Sequence, residues 1–423
     1  MRPRSIVVPF VLAFVSTATA AQSPDCCNLL GADLAERYRV SAIDQRRFTH
    51  HDLWDALLPF DGAGGVAITE VGRSLHGRAI RAVSFGTGPT SVLLWSQMHG
   101  DESTATMALS DVIRFFAEGG DDPLRATLRD RLRVTMVPML NPDGAERFQR
   151  YNAAGVDINR DARRLATPEA RTLKALRDSL EPAFGFNLHD QSARTTAGAD
   201  GEQVAIALLA PAADSARSYD PVRARARRLA ALLAQGLEAE LSGRTAKYDD
   251  AFNPRAFGDL IQQWGTSTVL IESGALPTDP EKQALRRVNV MLLLTALEAI
   301  ATERYERADT TVYEALPFNE RVAADLVVRG GSLVLPHGGR LALDLALTFE
   351  DPVARTGLTL SDVGDLADLA ALDTLDATGM YLHLAAPSAF DSGDWWLVRG
   401  ERVGLTVRDG PEPTAAVLER LPR

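Results

Sequence analysis

Short apolar runs alternate with amphipathic helical segments from about residue 66 to residue 306, and this alternation restricts the possible folds more than any other feature. The predicted strands cover 66–71, 79–85, 91–96, 132–138, 183–188, 204–209 and 267–271. The predicted helices cover 103–118, 167–180, 221–241 and 281–306. Strands of this length between amphipathic helices favour an α/β sandwich, in which helices cover a largely parallel or mixed sheet.

The sequence changes character after this region. Residues 310–423 contain one helical segment, 361–372, and otherwise short β-like runs at 324–328, 332–335, 341–348, 380–385 and 395–398. We expect Trp395 and Trp396 to lie in the core of this β-rich unit, although a role in stacking against a ligand is the alternative. The chain's 423 residues, 46% of them hydrophobic, are enough for two domains. We predict a catalytic domain over 61–308 and a small β-rich C-terminal domain over 309–423.

The N-terminus has the pattern of a secretory signal peptide over residues 1–20. Arg2 and Arg4 precede an apolar stretch at 6–15, and Ala18-Thr19-Ala20 forms a cleavage site. We therefore expect a secreted or periplasmic protein without a membrane anchor after cleavage. Residues 21–60 form a lead-in of irregular or short-helical character, and whether it acts as an inhibitory propeptide stays open.

Cysteine content and charge exclude other classes of function. Cys26 and Cys27 are adjacent and are the only cysteines, so they supply neither a structural staple nor a thiolate metal site in the core. The net charge of −11 argues against binding to nucleic acid or to an anionic membrane surface.

Polar residues follow four of the predicted strands. His99 and Glu102 come after 91–96, Asn141-Pro142-Asp143-Gly144 after 132–138, His189 after 183–188 and Glu272 after 267–271. Ligands of open α/β sheets bind outside the carboxyl ends of the strands, so these four ends are expected to converge on one crevice. An imidazole and a carboxylate three residues apart can share one metal ion, and a catalytic zinc typically takes three protein ligands.

In this order, His99-x-x-Glu102, Asn141-Pro-Asp-Gly144, Gly155-Val-Asp-Ile-Asn-Arg160, His189 and Glu272 resemble the M14 family of zinc carboxypeptidases over about residues 67–300. The resemblance implies a zinc-carboxypeptidase-like α/β/α sandwich with a mixed sheet. It also implies one Zn²⁺ per chain, bound by His99, Glu102 and His189, with Glu272 as general base and acid. Asn159 and Arg160 would then bind the free C-terminal carboxylate of a peptide.

The resemblance suggests further site residues. Arg150, nine residues before Asn159, matches the family spacing for a cation that faces the developing oxyanion, and Arg147 is the alternative. Tyr248 lies near the position of a tyrosine that closes over substrate in many members. Side-chain specificity would depend on residues 255–259, where Phe257 favours apolar, Arg255 acidic and Asp259 basic side chains. Gln191 replaces a tyrosine common in the family, and Ser273-Gly274 after the base differs from the digestive enzymes.

These observations predict a secreted zinc-dependent metallocarboxypeptidase that cleaves C-terminal peptide bonds with a zinc-activated water. A peptidoglycan stem-peptide amidase or an N-acyl amino acid deacylase on the same scaffold is the first alternative. An inactive peptide- or glycan-binding protein is the second. The expected partner is a peptide or a peptidoglycan fragment, and the oligomeric state stays open.

Overall fold

The computed structural model describes residues 28–385 and 397–422. The strands of its first part are β1 (Ala67–Arg73), β2 (Ala79–Phe85), β3 (Thr90–Trp95), β4 (Leu132–Val137), β5 (Phe184–Asp190), β6 (Thr195–Ala197), β7 (Ile206–Leu209), β8 (Thr245–Lys247) and β9 (Ser267–Ser273). The helices are α1 (Ala32–Arg37), α2 (His50–Leu57), α3 (Thr104–Glu118), α4 (Pro123–Arg131), α5 (Pro142–Ala145), α6 (Pro168–Leu180), α7 (Pro221–Glu240), α8 (Phe257–Gln263), α9 (Gln283–Ala301) and α10 (Thr310–Glu314). The predicted signal peptide, Cys26, Cys27 and the Trp395-Trp396 pair lie outside the described residues.

An eight-stranded mixed sheet forms the centre of this part, in the order β1-β2-β4-β3-β5-β9-β7-β8. Strands β4, β3, β5 and β9 are parallel neighbours, whereas β1, β2 and β7 join the sheet in antiparallel pairs. The carboxyl ends of the four parallel strands therefore meet at one edge of the sheet. The predicted α/β fold with a mixed sheet is confirmed.

Helices cover both faces of the sheet because the apolar side chains of its central strands point alternately to the two sides. In β3, Val92 and Leu94 belong to the core that contains α3, α7 and α9. Leu93 and Trp95 belong to a second core, which contains residues of α6 and α8. This period of two is the expected pattern for a strand buried on both faces. No helix among the described residues is long and apolar enough to span a membrane.

The lead-in packs against the α/β region through α1, α2 and a buried ion pair. Arg286 of α9 donates to both carboxylate oxygens of Asp111 of α3, at 2.5 and 2.7 Å. The same guanidinium donates to the backbone carbonyls of Val40 and Ile43, and Asp111 accepts the Val40 N–H at 2.7 Å. Residues 40–43 are thus bound to the two long helices by charged hydrogen bonds.

The C-terminal unit is a second sheet. Its strands are β11 (Ala324–Val334), β12 (Arg340–Asp351), β13 (Thr356–Gly364), β14 (Ala371–Asp376), β15 (Tyr381–Ala385), β16 (Gly404–Arg408) and β17 (Val417–Leu421). The order is β13-β12-β11-β15-β16-β17, and β14 also pairs with β11. A preceding strand, β10 (Asn319–Arg321), pairs with β6 beside the main sheet. The β-rich character is confirmed, while the division at residues 308 and 309 stays a prediction.

The helical expectation for residues 361–372 is wrong. Strand β13 continues to Gly364, and β14 begins at Ala371. In β13 the buried Leu358 and Leu360 alternate with less buried neighbours, which is the burial pattern of a strand with one face on the core. Leu366 packs in a small core with Ala324 and Val327, so the apolar spacing that suggested a helix serves a connection between strands.

We expect Arg286→Met to lower the free energy of unfolding by about 3–5 kcal/mol, because it leaves the Asp111 carboxylate buried without its partner. Urea unfolding followed by circular dichroism measures this loss. Arg287→Met is the matched control, since Arg287 contacts Glu36 and Glu240 at 3.5 Å in partly exposed ion pairs and should cost less than about 1 kcal/mol. Equal losses in the two variants would contradict the role assigned to Arg286.

Candidate metal centre and catalytic site

Three side chains with metal-binding atoms meet at the edge where the parallel strands end. His99 and Glu102 lie on the loop between β3 and α3, and His189 lies in β5. One Glu102 oxygen is 2.7 Å from His99 Nδ1, and the other is 2.6 Å from His189 Nδ1. All three residues are buried, and their ligand atoms lie within 4.8 Å of one another. Two imidazoles and one carboxylate match the ligand set of a catalytic zinc.

The Asn141–Gly144 turn supports the loop that carries His99 and Glu102. Asn141 Oδ1 accepts the Gly144 N–H at 2.9 Å, and Asn141 Nδ2 donates to the Met98 carbonyl at 3.3 Å. A Cβ on Gly100 would lie 2.0 Å from the Gly144 carbonyl carbon, so the two loops approach too closely for any side chain there. The turn therefore fixes the position of the metal-ligand loop.

Asp157 was missed as a functional residue by the sequence analysis. Its Oδ1 lies 3.0 Å from His99 Nε2, and its Oδ2 accepts a hydrogen bond from Arg150 Nη2 at 2.9 Å. A carboxylate on the far nitrogen orients a metal-binding imidazole and increases its basicity. Asp157 stands in the 155–160 motif, two residues before Asn159, and that position is the signal that could have identified it.

Asp101 is closer in sequence but contacts neither histidine in this way. Its Oδ1 atom is buried and accepts no hydrogen bond from the described residues. Burial and the nearby Glu102 charge raise its pKa.

The charges of the three ligands depend on one another. Burial disfavours the imidazolium of His99, but the Glu102 charge and the hydrogen bonds that the ring donates to Glu102 and Asp157 outweigh it and raise the His99 pKa to about 9. Burial lowers the pKa of His189 despite the same carboxylate. Burial also opposes ionisation of Glu102, but the two histidines more than offset it and hold its pKa below the usual range. The Glu102 carboxylate is thus ionised between two imidazoles.

Glu272 lies at the end of β9, directly opposite His189 in the parallel β5–β9 register. Its Oε2 atom is buried and accepts no hydrogen bond from the described residues, although the side chain keeps some exposure toward solvent. Burial, together with the Glu102 charge, raises the Glu272 pKa well above that of an ordinary glutamate. A carboxylate with a raised pKa can accept a proton and later return it.

Arg150 reaches the metal-ligand cluster. Its Nη1 lies 3.3 Å from Glu102 Oε1, and its Nε and Nη2 donate to Asp157 Oδ2. The side chain stays about one-third exposed, and it lines the cleft that contains the three ligands. Arg147, the alternative cation, is exposed and does not line this cleft.

The residues predicted to bind substrate line the same cleft. Asn159 Oδ1 accepts the Phe257 N–H at 2.9 Å, and Arg160 Nη1 donates to the Asn159 carbonyl at 2.7 Å. The Tyr248 hydroxyl donates to Gln191 Oε1 at 3.0 Å, so the glutamine that replaces a family tyrosine holds this one. Burial raises the Tyr248 pKa, and its hydroxyl remains protonated.

Residues 255–259 lie outside the lining of this cleft. Phe257 is fully buried in the core beneath α8. Asp259 is buried and accepts the Asn253 N–H, and burial raises its pKa to about 6. Arg255 is exposed and lines a neighbouring cavity that it shares with Arg160. The expectation that this segment sets side-chain specificity stays a prediction.

The cleft has a volume of about 950 Å³ and brings together all eight predicted site residues. They are His99, Glu102, Arg150, Asn159, Arg160, His189, Tyr248 and Glu272. Residues of the lead-in and of the C-terminal unit also line it, and the sequence did not predict either contribution.

Part of this chain is similar to known proteins. A family model described as zinc carboxypeptidase, peptidase M14, matches residues 64–196. An uncharacterized Zymomonas mobilis protein is 31% identical over 113 residues, covering 26% of this chain and 29% of that protein. Carboxypeptidase 2 of Trichophyton rubrum is 29% identical over 102 residues, covering 24% of this chain and 19% of that protein.

Residues 64–196, which match the peptidase M14 model, are called the M14 segment below. It contains the three metal ligands, Arg150, Asp157, Asn159 and Arg160, whereas Tyr248 and Glu272 follow it. One solved structure is that of a Burkholderia mallei protein assigned as a carboxypeptidase. The two structures align over 62% of this chain and 70% of the Burkholderia chain, with 16% identity and a TM-score of 0.50. This likeness shows a shared fold. The aligned residues span less than a third of either curated relative.

Asp157→Ala should weaken zinc binding by about 10- to 100-fold, because it removes the hydrogen-bond partner that orients His99. Competition with a chelator, followed by metal analysis, measures this change. His189→Ala removes a ligand, and its zinc content serves as the reference for complete loss of the metal. Asp101→Asn is the matched control, and a loss of affinity equal to that of Asp157→Ala would refute the positioning role.

Proposed function

We propose that the protein is a zinc-dependent metallocarboxypeptidase that removes the C-terminal residue of a peptide. The observation that carries this proposal is the convergence of His99, Glu102 and His189 on one point beside the Glu272 carboxylate. The ligand atoms are close enough to share one ion, and the donor set suits Zn²⁺. The M14 segment and the relatives' names support the same reaction.

His99, Glu102 and His189 would hold the zinc, which supplies Lewis-acid activation of water and of a carbonyl oxygen. Glu272 then takes a proton from the attacking water and delivers it to the leaving amine, for which its raised pKa is suited. Arg150 offers a cation to the oxyanion that develops on the scissile carbonyl. Its remaining hydrogen bonds to Asp157 hold the guanidinium in place for this task.

The clamp for the terminal carboxylate is the feature that would make the enzyme an exopeptidase. Arg160 presents a planar guanidinium that can bind a carboxylate through two parallel hydrogen bonds. No ion pair occupies this guanidinium among the described residues, while Asn159 is fixed by its bond to Phe257. Tyr248 lines the same cleft and would cover the bound residue.

Two further parts of the proposal rest on sequence. The pattern of residues 1–20 supports export to a secreted or periplasmic location. The peptide substrate is proposed from the carboxylate clamp, and a peptidoglycan stem peptide is one compound of that class.

Glu272→Gln should retain zinc but lower kcat by about 10²- to 10⁴-fold, because the amide cannot accept the proton. Metal analysis and hydrolysis of a blocked dipeptide measure the two properties on one preparation. Glu306→Gln, at an exposed position, is the control and should keep full activity. Full activity of the Glu272→Gln variant would refute the assignment of Glu272 as the general base.

Arg160→Met should raise KM for peptides with a free C-terminal carboxylate by at least about tenfold, since it removes a charged hydrogen-bond donor. Mass spectrometry of a peptide mixture should show loss of single C-terminal residues with the native enzyme and none from amidated peptides. Arg163→Met, an exposed arginine three residues further on, is the matched control. Internal cleavage by the native enzyme would contradict the carboxylate clamp.

A further inference from the structure

The wall of the cleft is not built by the catalytic region alone. Six of its lining residues belong to the C-terminal unit, and two belong to the lead-in. The larger group comprises Asn319, Arg321, Glu350, Asp351, Pro352 and Val353. Residues 350–353, at the end of β12 and in the turn toward β13, are called the rim turn below. Their presence in the cleft gives the C-terminal unit a place beside the catalytic residues.

The rim turn is tied to the metal-ligand loop through Arg46. Ser103, which follows Glu102 in sequence, donates from Oγ to the Arg46 carbonyl at 2.5 Å. The Arg46 guanidinium in turn forms an ion pair with Asp351, and Arg47 contacts the same Asp351 oxygen at 3.2 Å. Arg46 and Asp351 are both largely buried. The rim turn therefore stands about one arginine side chain away from the loop that carries Glu102.

The rim turn also has a rigid internal structure. Asp351 Oδ1 accepts the N–H groups of Val353 and Ala354, at 3.2 and 3.1 Å. The same carboxylate thus organises the turn and pairs with the lead-in. Asp351 therefore fixes both the conformation of the turn and its position against Arg46.

Arg194 fastens the base of the same hairpin to the segment that follows His189. It donates to the Phe349 carbonyl at 2.6 Å and to Asp325 Oδ2 at 2.9 Å. The buried Asp325 also accepts the Phe349 N–H at 2.6 Å. Moving the hairpin away from the cleft would break these charged hydrogen bonds in a largely buried place, which is costly.

The arginines of the lead-in complete this side of the cleft. The guanidinium groups of Arg46 and Arg47 lie 5.8 and 4.7 Å from the centre of the Phe148 ring, two residues before Arg150. The lead-in, the segment around Phe148 and the rim turn therefore form one connected border. The volume of the cleft, about 950 Å³, lies within the range of about 300–1,000 Å³ that is typical of small-molecule sites.

We propose that the rim turn limits the length of the substrate, so that the protein acts on short peptides in preference to long chains. The inference rests on the proposed carboxypeptidase function and concerns the specificity of the same site. A short peptide fits within the border, whereas a longer chain with its C-terminus at Arg160 meets the rim turn. The C-terminal unit is then a determinant of substrate length.

Three variants of the rim turn test this proposal through the ratio of kcat/KM values for a long and a short peptide. Val353→Gly and Asp351→Ala should raise kcat/KM for a decapeptide, relative to a blocked dipeptide with the same last two residues, by about tenfold. Val353→Trp adds bulk to the wall and should lower this ratio. Arg399→Ala removes a partly exposed ion pair with Asp362, elsewhere in the C-terminal unit, and should leave the ratio unchanged.

Binding provides a readout that does not depend on turnover. In the zinc-loaded Glu272→Gln background, fluorescence anisotropy should show weaker binding of the decapeptide than of the dipeptide, and Val353→Gly should reduce this difference. If the native protein hydrolyses neither peptide but binds the dipeptide more tightly than the decapeptide, the proposed function fails and the role of the rim turn is retained. If all three variants keep the native ratio of kcat/KM values and native circular dichroism spectra, the role of the rim turn is refuted. Failure of both peptides to bind would refute it as well.

Discussion

The parallel alignment of β3, β5 and β9 is the constraint on which the site depends. Hydrogen bonding between β5 and β9 places His189 opposite Glu272, and pairing of β3 with β5 brings the loop after β3 to the same edge. Parallel strands must all begin at one end of the sheet, so their carboxyl ends collect polar residues from distant parts of the chain. A slip of one residue in β9 would turn Glu272 to the other face.

The buried Glu102 carboxylate organises the charges at this edge. Its Oε1 contacts His99 Nδ1 and Arg150 Nη1, and its Oε2 contacts His189 Nδ1. A carboxylate in such a place is stable only with partners, because burial without them is costly. Asp157 extends the cluster by joining His99 to Arg150. The same residues that neutralise one another are therefore those that the proposed reaction needs.

The lead-in and the C-terminal unit are bound to the α/β region by largely buried charge pairs. Arg286 with Asp111 fixes residues 40–43, Arg46 with Asp351 joins the lead-in to the C-terminal unit, and Arg194 with Asp325 fixes the second sheet. These contacts make both peripheral parts components of the cleft border. The lead-in is accordingly packed into the fold as well as placed beside the site.

Local pattern determined most of the α/β region, because period-two burial and amphipathic helices are properties of neighbouring residues. The proposed ligands, base and carboxylate clamp were predicted from strand ends and from the resemblance of their motifs to a known family. The sequence did not show that Asp157, within the 155–160 motif, pairs with His99 across 58 residues. Nor could it show the role of Asp351, which meets Arg46 across 305 residues. Only the tertiary structure decided those pairings, because contacts between distant segments depend on how the two sheets and the lead-in pack.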